Sequence, residues 1–124
     1  MIMYQLVSQW LDQLKWDDVS EEVAAFCFIL YDECDHEHWG MDLIGAEYYD
    51  PEDEDWACCE VTDLGSRNPD FRWAKRADWK EVLDDVITAL REYLAKGTYA
   101  HILKSKTAVA VGFDDGDLHL LFTK

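Results

Sequence analysis

The sequence predicts an α+β domain with a mostly antiparallel sheet of about five strands and two main helices packed against it, in the order α-β-β-β-α-β-β. Three observations support this prediction. Apolar residues recur at helical spacing near the start of the chain and again after Asp78. Short apolar and aromatic runs typical of strands lie between them, and a hairpin signal closes the chain. At 124 residues, we expect a single domain over 1–124.

The two helices are indicated by apolar residues three and four positions apart. The first is predicted over 2–15, with a stripe formed by Ile2, Leu6, Val7, Trp10, Leu11 and Leu14. The second is predicted to begin after Asp78, because Glu81 follows three residues later as in a capping box. We expect it to end at Gly97, a residue type that favours the left-handed C′ position. Its buried stripe is predicted to consist of Trp79, Val82, Leu83, Val86, Leu90, Tyr93 and Leu94.

Three strands are predicted between the helices. Segment 22–31 is apolar on both faces, which favours a central strand covered from both sides. A second strand is expected at about 41–49 and a third at about 56–63, with a carboxylate-rich loop between them. Segment 64–77 contains glycine, asparagine and proline, so we expect a long connection whose aromatic residues close the edge of the core.

The chain ends in a predicted β-hairpin. Residues 107–113 form its first strand, and Leu118, Leu120 and Phe122 lie on the return strand. The segment 114–116, Asp-Asp-Gly, is the expected turn, in which glycine would supply a positive φ.

The charge is distributed very unevenly along the chain. Of 27 Asp and Glu residues, 17 lie between Trp16 and Ser66, a segment without a single Lys or Arg, so this segment carries essentially the whole net charge of −16. Two interpretations remain open: a solvated acidic face that aids solubility, or a landing surface that attracts a basic partner protein. Nucleic acid and anionic membranes are disfavoured as partners, because their phosphates would be repelled.

The residues predicted to contact a basic partner lie where the acidic segment turns. Carboxylates at strand ends and in loops can project from the sheet without disturbing the core, and tyrosine and tryptophan beside them are plausible anchors. The predicted partner-binding residues are Asp32, Glu33, Asp35, Glu37, Tyr48, Tyr49, Asp50, Glu52, Asp53, Glu54, Asp55 and Trp56.

One cluster of residues suggests metal binding, but no cluster in the sequence has the pattern of a catalytic site. Cys34, His36 and His38 would share one face of a strand, and Cys58 or Cys59 could complete a zinc site. The alternative is a polar turn with solvated histidines, because structural zinc sites usually show two spaced ligand pairs. The sequence contains no nucleophile elbow, P-loop or dinucleotide-binding glycine motif. We therefore expect no catalytic residues, no bound metal and no cofactor.

The compartment is predicted from what the sequence lacks. There is no secretory signal pattern and no apolar stretch long enough to span a bilayer, so we expect a cytoplasmic protein. In that compartment its four cysteines are expected to stay reduced and to behave as small buried hydrophobic residues. The sequence does not indicate an oligomeric state.

The chain resembles the bacterial immunity proteins that neutralise polymorphic or contact-dependent growth-inhibition toxins. The resemblance rests on the small acidic α+β domain without catalytic motifs and on the closing hairpin Ala110-Val111-Gly112-Phe113-Asp114-Asp115-Gly116-Asp117-Leu118. It implies an inhibitor of a basic, nuclease-like toxin domain, whose phosphate-holding site an acidic protein can block. The alternatives are another acidic adaptor or nucleic-acid mimic and, third, a small metal-binding protein or enzyme.

Overall fold

The computed structural model describes residues 2–68 and 70–124 and has an α+β fold. Its helices are α1 (Met3–Asp12), α2 (Trp79–Lys96) and the short α3 (Ala100–Leu103), with 3-10 helices at Trp16–Asp18 and Glu54–Cys58. Its strands are β1 (Ala25–Asp32), β2 (His38–Ala46), β3 (Glu60–Thr62), β4 (Phe71–Ala74), β5 (Ala108–Phe113) and β6 (His119–Thr123). No helix in these two ranges is long and apolar enough to cross a membrane.

The strands form one mixed sheet with β1 at its centre. The order is β3-β2-β1-β5-β6, and β4 pairs with β2 alongside β3. β1 and β5 are parallel, whereas the other described pairs are antiparallel. The predicted fold class and the predicted central strand are confirmed, and the carboxyl ends of β1 and β5 meet at the same edge of the sheet.

The larger core lies between one face of the sheet and the two long helices. Phe26, Phe28 and Leu30 alternate along β1 and point toward this face, where all three are fully buried. Trp10 of α1 stacks on Phe71 of β4, with ring centroids 4.6 Å apart. The aromatic residues of the predicted connection therefore do close the core edge, but they do so from a strand.

The opposite face of the sheet is lined by small side chains and covered by one short segment. Ala25 and Cys27 of β1 lie beside Ala108 and Ala110 of β5. The 3-10 helix Glu54–Cys58 packs on them through Trp56, which is only 2% exposed. Small side chains leave room for this close approach, so a segment of loop suffices where the other face needs two helices.

The structure corrects the predicted second and third strands. The second begins at His38 and ends at Ala46, three residues earlier at each end than expected. Residues 56–58 of the predicted third strand belong to the 3-10 helix Glu54–Cys58, and the strand itself is shorter, Glu60–Thr62. The local reason is that the Asp53 carboxylate accepts a hydrogen bond from the Asp55 N–H and so begins a helical turn. The predicted connection 64–77 contains β4, and its Pro69 lies outside the described residues.

The N-terminal cap of α2 is confirmed, but two details at its ends are wrong. The Asp78 carboxylate accepts a hydrogen bond from the Glu81 N–H at 2.9 Å. Gly97 has φ −71°, so its conformation does not require glycine. Glycine is needed there for a steric reason, because a Cβ at Gly97 would lie 2.5 Å from the Tyr93 ring. Trp79 does not belong to the buried stripe, since it is 49% exposed.

Two further boundaries differ from the sequence predictions. α1 ends at Asp12 and not at residue 15, and the chain continues into the 3-10 helix Trp16–Asp18, whose Trp16 indole donates a hydrogen bond to the Leu11 carbonyl. In the closing hairpin, Gly116 does not adopt the predicted positive φ; among the described glycines a positive φ is found at Gly65, which precedes β4.

Candidate functional site

The structure places the predicted contact residues in two separate groups. Asp32, Glu33, Asp35 and Glu37 follow the carboxyl end of β1, whereas residues 48–56 follow the carboxyl end of β2. The two strands are antiparallel and pair from Ala25–Ala46 to Asp32–Trp39. At about 3.4 Å per residue, the two groups begin about 24 Å apart. Two acidic surfaces result: residues 48–56 belong to a loop, and of the other four predicted residues Asp32 belongs to a groove described below.

The first surface is residues 47–59, here called the acidic loop. The Asp50 carboxylate accepts a hydrogen bond from the Glu52 N–H at 2.9 Å, and Asp53 caps the 3-10 helix in the same way. The Glu54 carboxylate accepts a hydrogen bond from the Leu118 N–H at 2.9 Å, which joins the loop to the β5–β6 turn. Three of the loop's carboxylates thus help to hold its shape.

The aromatic side chains of the acidic loop differ in how much of their surface is exposed to a partner protein. Trp56 is 2% exposed and belongs to the core of the small face, so it is not accessible as an anchor in this conformation. Tyr49 packs edge-on against it, with ring centroids 5.3 Å apart. Tyr48 is 38% exposed and remains available.

The segment between β1 and β2 is a turn, as the polar-turn interpretation of Cys34, His36 and His38 expected, and not the shared strand face that the zinc alternative requires. Cys34 and His36 have φ values of 67° and 58°, in the left-handed region. Among residues 2–68 and 70–124, no group of three or more His, Cys, Asp or Glu side chains is arranged to hold a metal ion. The zinc alternative thus has no ligand set in the described part of the chain.

An exposed ion pair stabilises this turn. His38 Nδ1 lies 2.6 Å from the Asp35 carboxylate, which also accepts hydrogen bonds from the backbone N–H groups of Glu37 and His38. The hydrogen bond to Asp35 raises the pKa of His38 above its usual value, and the hydrogen bonds from His38 and Glu37 lower the pKa of Asp35. Asp35 is therefore engaged within the turn.

The expectation of small buried thiols holds only for Cys27. Cys34 and Cys58 are exposed, and Cys59 is partly exposed. Burial, with a smaller contribution from Cys58, raises the pKa of Cys27 to about 12. Its thiol therefore stays protonated at neutral pH and is a poor nucleophile.

The serine in the core is also engaged structurally. The Ser66 hydroxyl donates to the Leu43 carbonyl and accepts from the Leu43 N–H, both at 3.0 Å. The hydroxyl is fully buried, and its hydrogen-bond partners among the described residues are backbone atoms of Leu43 and not a base that could activate it.

The second surface is a concave region that we call the acidic groove. It lies between the first turn of α2 and the β5–β6 turn, at the carboxyl ends of β1 and β5, with a volume of about 970 Å³. Trp79, Leu83 and Phe113 form its apolar floor, and the rings of Trp79 and Phe113 meet at 90° with centroids 6.2 Å apart. Its acidic rim consists of Asp32, Asp84, Asp114, Asp115 and Asp117.

The rim carboxylates are not neutralised by the chain's own bases. Within the described ranges none of the five forms an ion pair with a Lys or Arg. Elsewhere Arg67 binds Glu60 at 2.8 Å and Asp42 at 3.0 Å, and Lys75 binds Glu81 at 3.2 Å. The groove's one lysine, Lys80, has its Nζ 5.6 Å from the centre of the Trp79 ring.

Sequence reasoning found one member of this rim, Asp32, and missed the other four. The available signal was the acidic sequence of 114–117 at the hairpin tip, which was interpreted only as a turn. Trp79 was missed because its spacing matches the buried stripe of α2. Comparisons of the chain with protein-family models, curated proteins and solved structures found no match.

Proposed function

We propose that this protein is a protein-binding inhibitor that neutralises a basic partner, as the bacterial immunity proteins it resembles neutralise nuclease-like toxins. The observation that carries the proposal is the acidic groove, where the exposed Trp79 shares a concave region with five aspartates that form no ion pair with a described Lys or Arg. A solvated acidic face would need neither a concave site nor an exposed aromatic ring. Both are features of protein-binding surfaces.

The charge supplies a mechanism for fast and selective association. At physiological salt the Debye length is about 8 Å, so unpaired carboxylates attract a basic surface before contact and mainly raise the association rate. A nuclease site is basic because it holds phosphate. A protein with a net charge of −16 that occupies or adjoins such a site would exclude the nucleic-acid substrate.

The test uses the product of a neighbouring reading frame that encodes a basic domain. Its activity and its binding kinetics are measured with and without this protein, at two salt concentrations. We expect saturable inhibition and an association rate that falls as salt rises. Binding without loss of the partner's activity would instead identify an adaptor. No binding to any basic partner would contradict the proposal.

A matched pair of variants tests the acidic loop as part of the landing surface. Replacing Glu52, Asp53, Glu54 and Asp55 with Gln or Asn keeps their hydrogen-bond acceptors but removes four charges. We expect slower association with a weaker salt dependence. The control removes the same charge at Asp17, Asp18, Glu21 and Glu22, outside both surfaces. Equal effects of the two variants would show that only the overall charge matters.

A further inference from the structure

We infer that the acidic groove receives an arginine side chain from an extended basic segment of the partner. This inference rests on the proposed function, in which the partner is a basic protein, and it assigns the groove's occupant by its chemistry. Three features of the groove lead to it: an aromatic floor, an unneutralised rim and a cation already lying on the floor.

The floor is an aromatic surface in an unusual position. Trp79 opens α2 and is 49% exposed, whereas the residues that follow it on the same stripe, Val82 and Val86, are buried. The Phe113 ring packs against the Trp79 ring at 90° in a T-shaped arrangement. A planar guanidinium stacks on such a ring and still offers its N–H groups sideways to carboxylates. An ammonium group lacks this planar contact.

The rim supplies the acceptors that a stacked guanidinium needs. Asp32 comes from the end of β1, Asp84 from α2, and Asp114, Asp115 and Asp117 from the β5–β6 turn, so carboxylates approach the floor from three elements. The positive end of the α2 dipole is worth about half a charge and is already capped by Asp78, so the rim outweighs it. Anionic ligands are repelled by the same rim.

The chain's own Lys80 shows that the ring face accepts a cation. Its Nζ lies 5.6 Å from the centre of the Trp79 ring, within the distance of a cation–π contact. An incoming arginine would compete with this lysine. Removing the lysine should therefore strengthen binding of a basic segment, an effect opposite in sign to removal of the ring.

The experiment titrates the full chain with a short capped peptide of alternating arginine and glycine and follows the tryptophan indole N–H signals by NMR. The control peptide carries citrulline, which has nearly the same shape but no charge. We expect the indole signal assigned to Trp79 to shift saturably with the arginine peptide only. A shift confined to other indole signals, or an equal shift with citrulline, would overturn the inference.

Four variants locate the site. We expect Trp79→Leu to weaken peptide affinity about three- to fivefold, the size of an exposed cation–π contact, and Lys80→Gln to strengthen it. The variant D114N/D115N/D117N should bind several-fold more weakly, whereas E52Q/D53N/D55N, which removes the same charge from the acidic loop, should bind almost normally. Equal weakening by the two triple variants would overturn the inference, as would weaker binding by Lys80→Gln.

The same variants separate this inference from the proposed function. If the partner still binds and is inhibited, but Trp79→Leu and Lys80→Gln leave its affinity unchanged, the groove inference fails and the inhibitor proposal stands. If the peptide behaves as expected but no basic partner binds, the inhibitor proposal fails.

Discussion

The two faces of the sheet carry side chains of different size. On the helix face, β1 and β2 contribute large buried rings such as Phe26, Phe28 and Trp39, and two long helices cover them. On the other face the same sheet presents mainly alanine and cysteine, and the acidic loop covers them through one tryptophan. The helix face therefore contributes most of the buried area that stabilises the fold.

The difference shows where a small domain can carry repulsive charge. The acidic loop and the β5–β6 turn lie on thinly covered parts of the molecule, so their repulsion acts on segments that can move without opening the main core. Stability is not uniform across such a structure, and weakly packed segments open first. The acidic loop should thus behave as a local unit, separable from the helix face by mutation.

The largest expected effect is the difference in unfolding free energy between a variant of the helix face and a variant of the opposite face. Phe28→Ala should lower the free energy of unfolding by about 4 kcal/mol, because it leaves a cavity in the main core. Trp56→Ala should cost about half as much, since the acidic loop can collapse onto the small side chains beneath it. Denaturant unfolding measures both.

Alkylation of Cys27 in the native state provides a second measurement that compares Phe28→Ala with Trp56→Ala. Cys27 is buried beneath the acidic loop, so Trp56→Ala should speed its modification by local opening well below the unfolding midpoint. Equal costs for the two variants, with no faster Cys27 modification in Trp56→Ala, would show that the faces unfold as one unit.

The second prediction compares tight packing at the end of α2 with open space at the β5–β6 turn. A Cβ at Gly97 would lie 2.5 Å from the Tyr93 ring, so Gly97→Ala should cost about 2 kcal/mol. The control is Gly116→Ala, whose Cβ would meet Phe113 at 3.6 Å, an ordinary contact. We expect its unfolding free energy to change by less than about 0.5 kcal/mol. A larger loss at Gly116 than at Gly97 would contradict this comparison.

The third prediction concerns repulsion in the acidic loop. Glu52→Gln with Asp55→Asn should raise the free energy of unfolding by a few tenths of a kcal/mol at low salt, and the gain should disappear as salt screens the charges. On the helix face, Glu92→Gln should have the opposite sign, because Glu92 pairs with Lys96 at 2.6 Å. Thermal unfolding at two salt concentrations measures both. If Glu92→Gln also raises the free energy of unfolding, the change in stability depends on the total negative charge and not on where each carboxylate lies.

The smallest expected effect lies in the turn between β1 and β2. Because Asp35 raises the pKa of His38 above 6.5, the ion pair's contribution is complete below that pH and is lost as pH rises through the folded-state pKa. On the acid side, the pKa of Asp35 is lowered below 3.8, so the contribution is lost as pH falls below that value. The pair therefore stabilises the turn most between about pH 4 and 6.5.

An NMR titration of the His38 ring checks this prediction. Asp35→Asn should bring the pKa of His38 down toward 6.5, whereas Glu37→Gln, a weaker electrostatic neighbour, should change it much less. An unchanged pKa in Asp35→Asn would show that the contact does not persist in solution.

The sequence was most informative where local signals and burial agree. The cap at Asp78, the central strand around Phe28 and the hairpin strand 108–113 were all predictable, because each combines a local propensity with an apolar pattern. The strand predicted at 56–63 begins too early, because Trp56 and its neighbours fit a strand pattern but belong to the 3-10 helix, and the strand itself is Glu60–Thr62. The cap at Asp53 and the small side chains under Trp56 decide the outcome, and the latter come from distant strands.

The groove was less predictable for a related reason. Trp79 matches the periodicity of the buried stripe, but it is the first residue of α2 and is 49% exposed. The rim aspartates come from three parts of the chain, and Asp32 meets the β5–β6 turn because β1 and β5 run parallel, a pairing that the sequence did not reveal. Charge composition alone points to the acidic loop.

The outer strands of the sheet bear on the chain's tendency to aggregate. On one side, β3 and β4 both pair with β2 and have three and four residues, too few to template a long new strand. On the other side β6 carries a bulge: β5 advances one residue from Val109 to Ala110 while β6 advances two, from Phe122 to Leu120. Such irregularity disfavours the addition of further strands, even though Leu120 is 45% exposed. The chain should therefore resist cross-β aggregation at high concentration, with the mutual repulsion of its copies as a second safeguard.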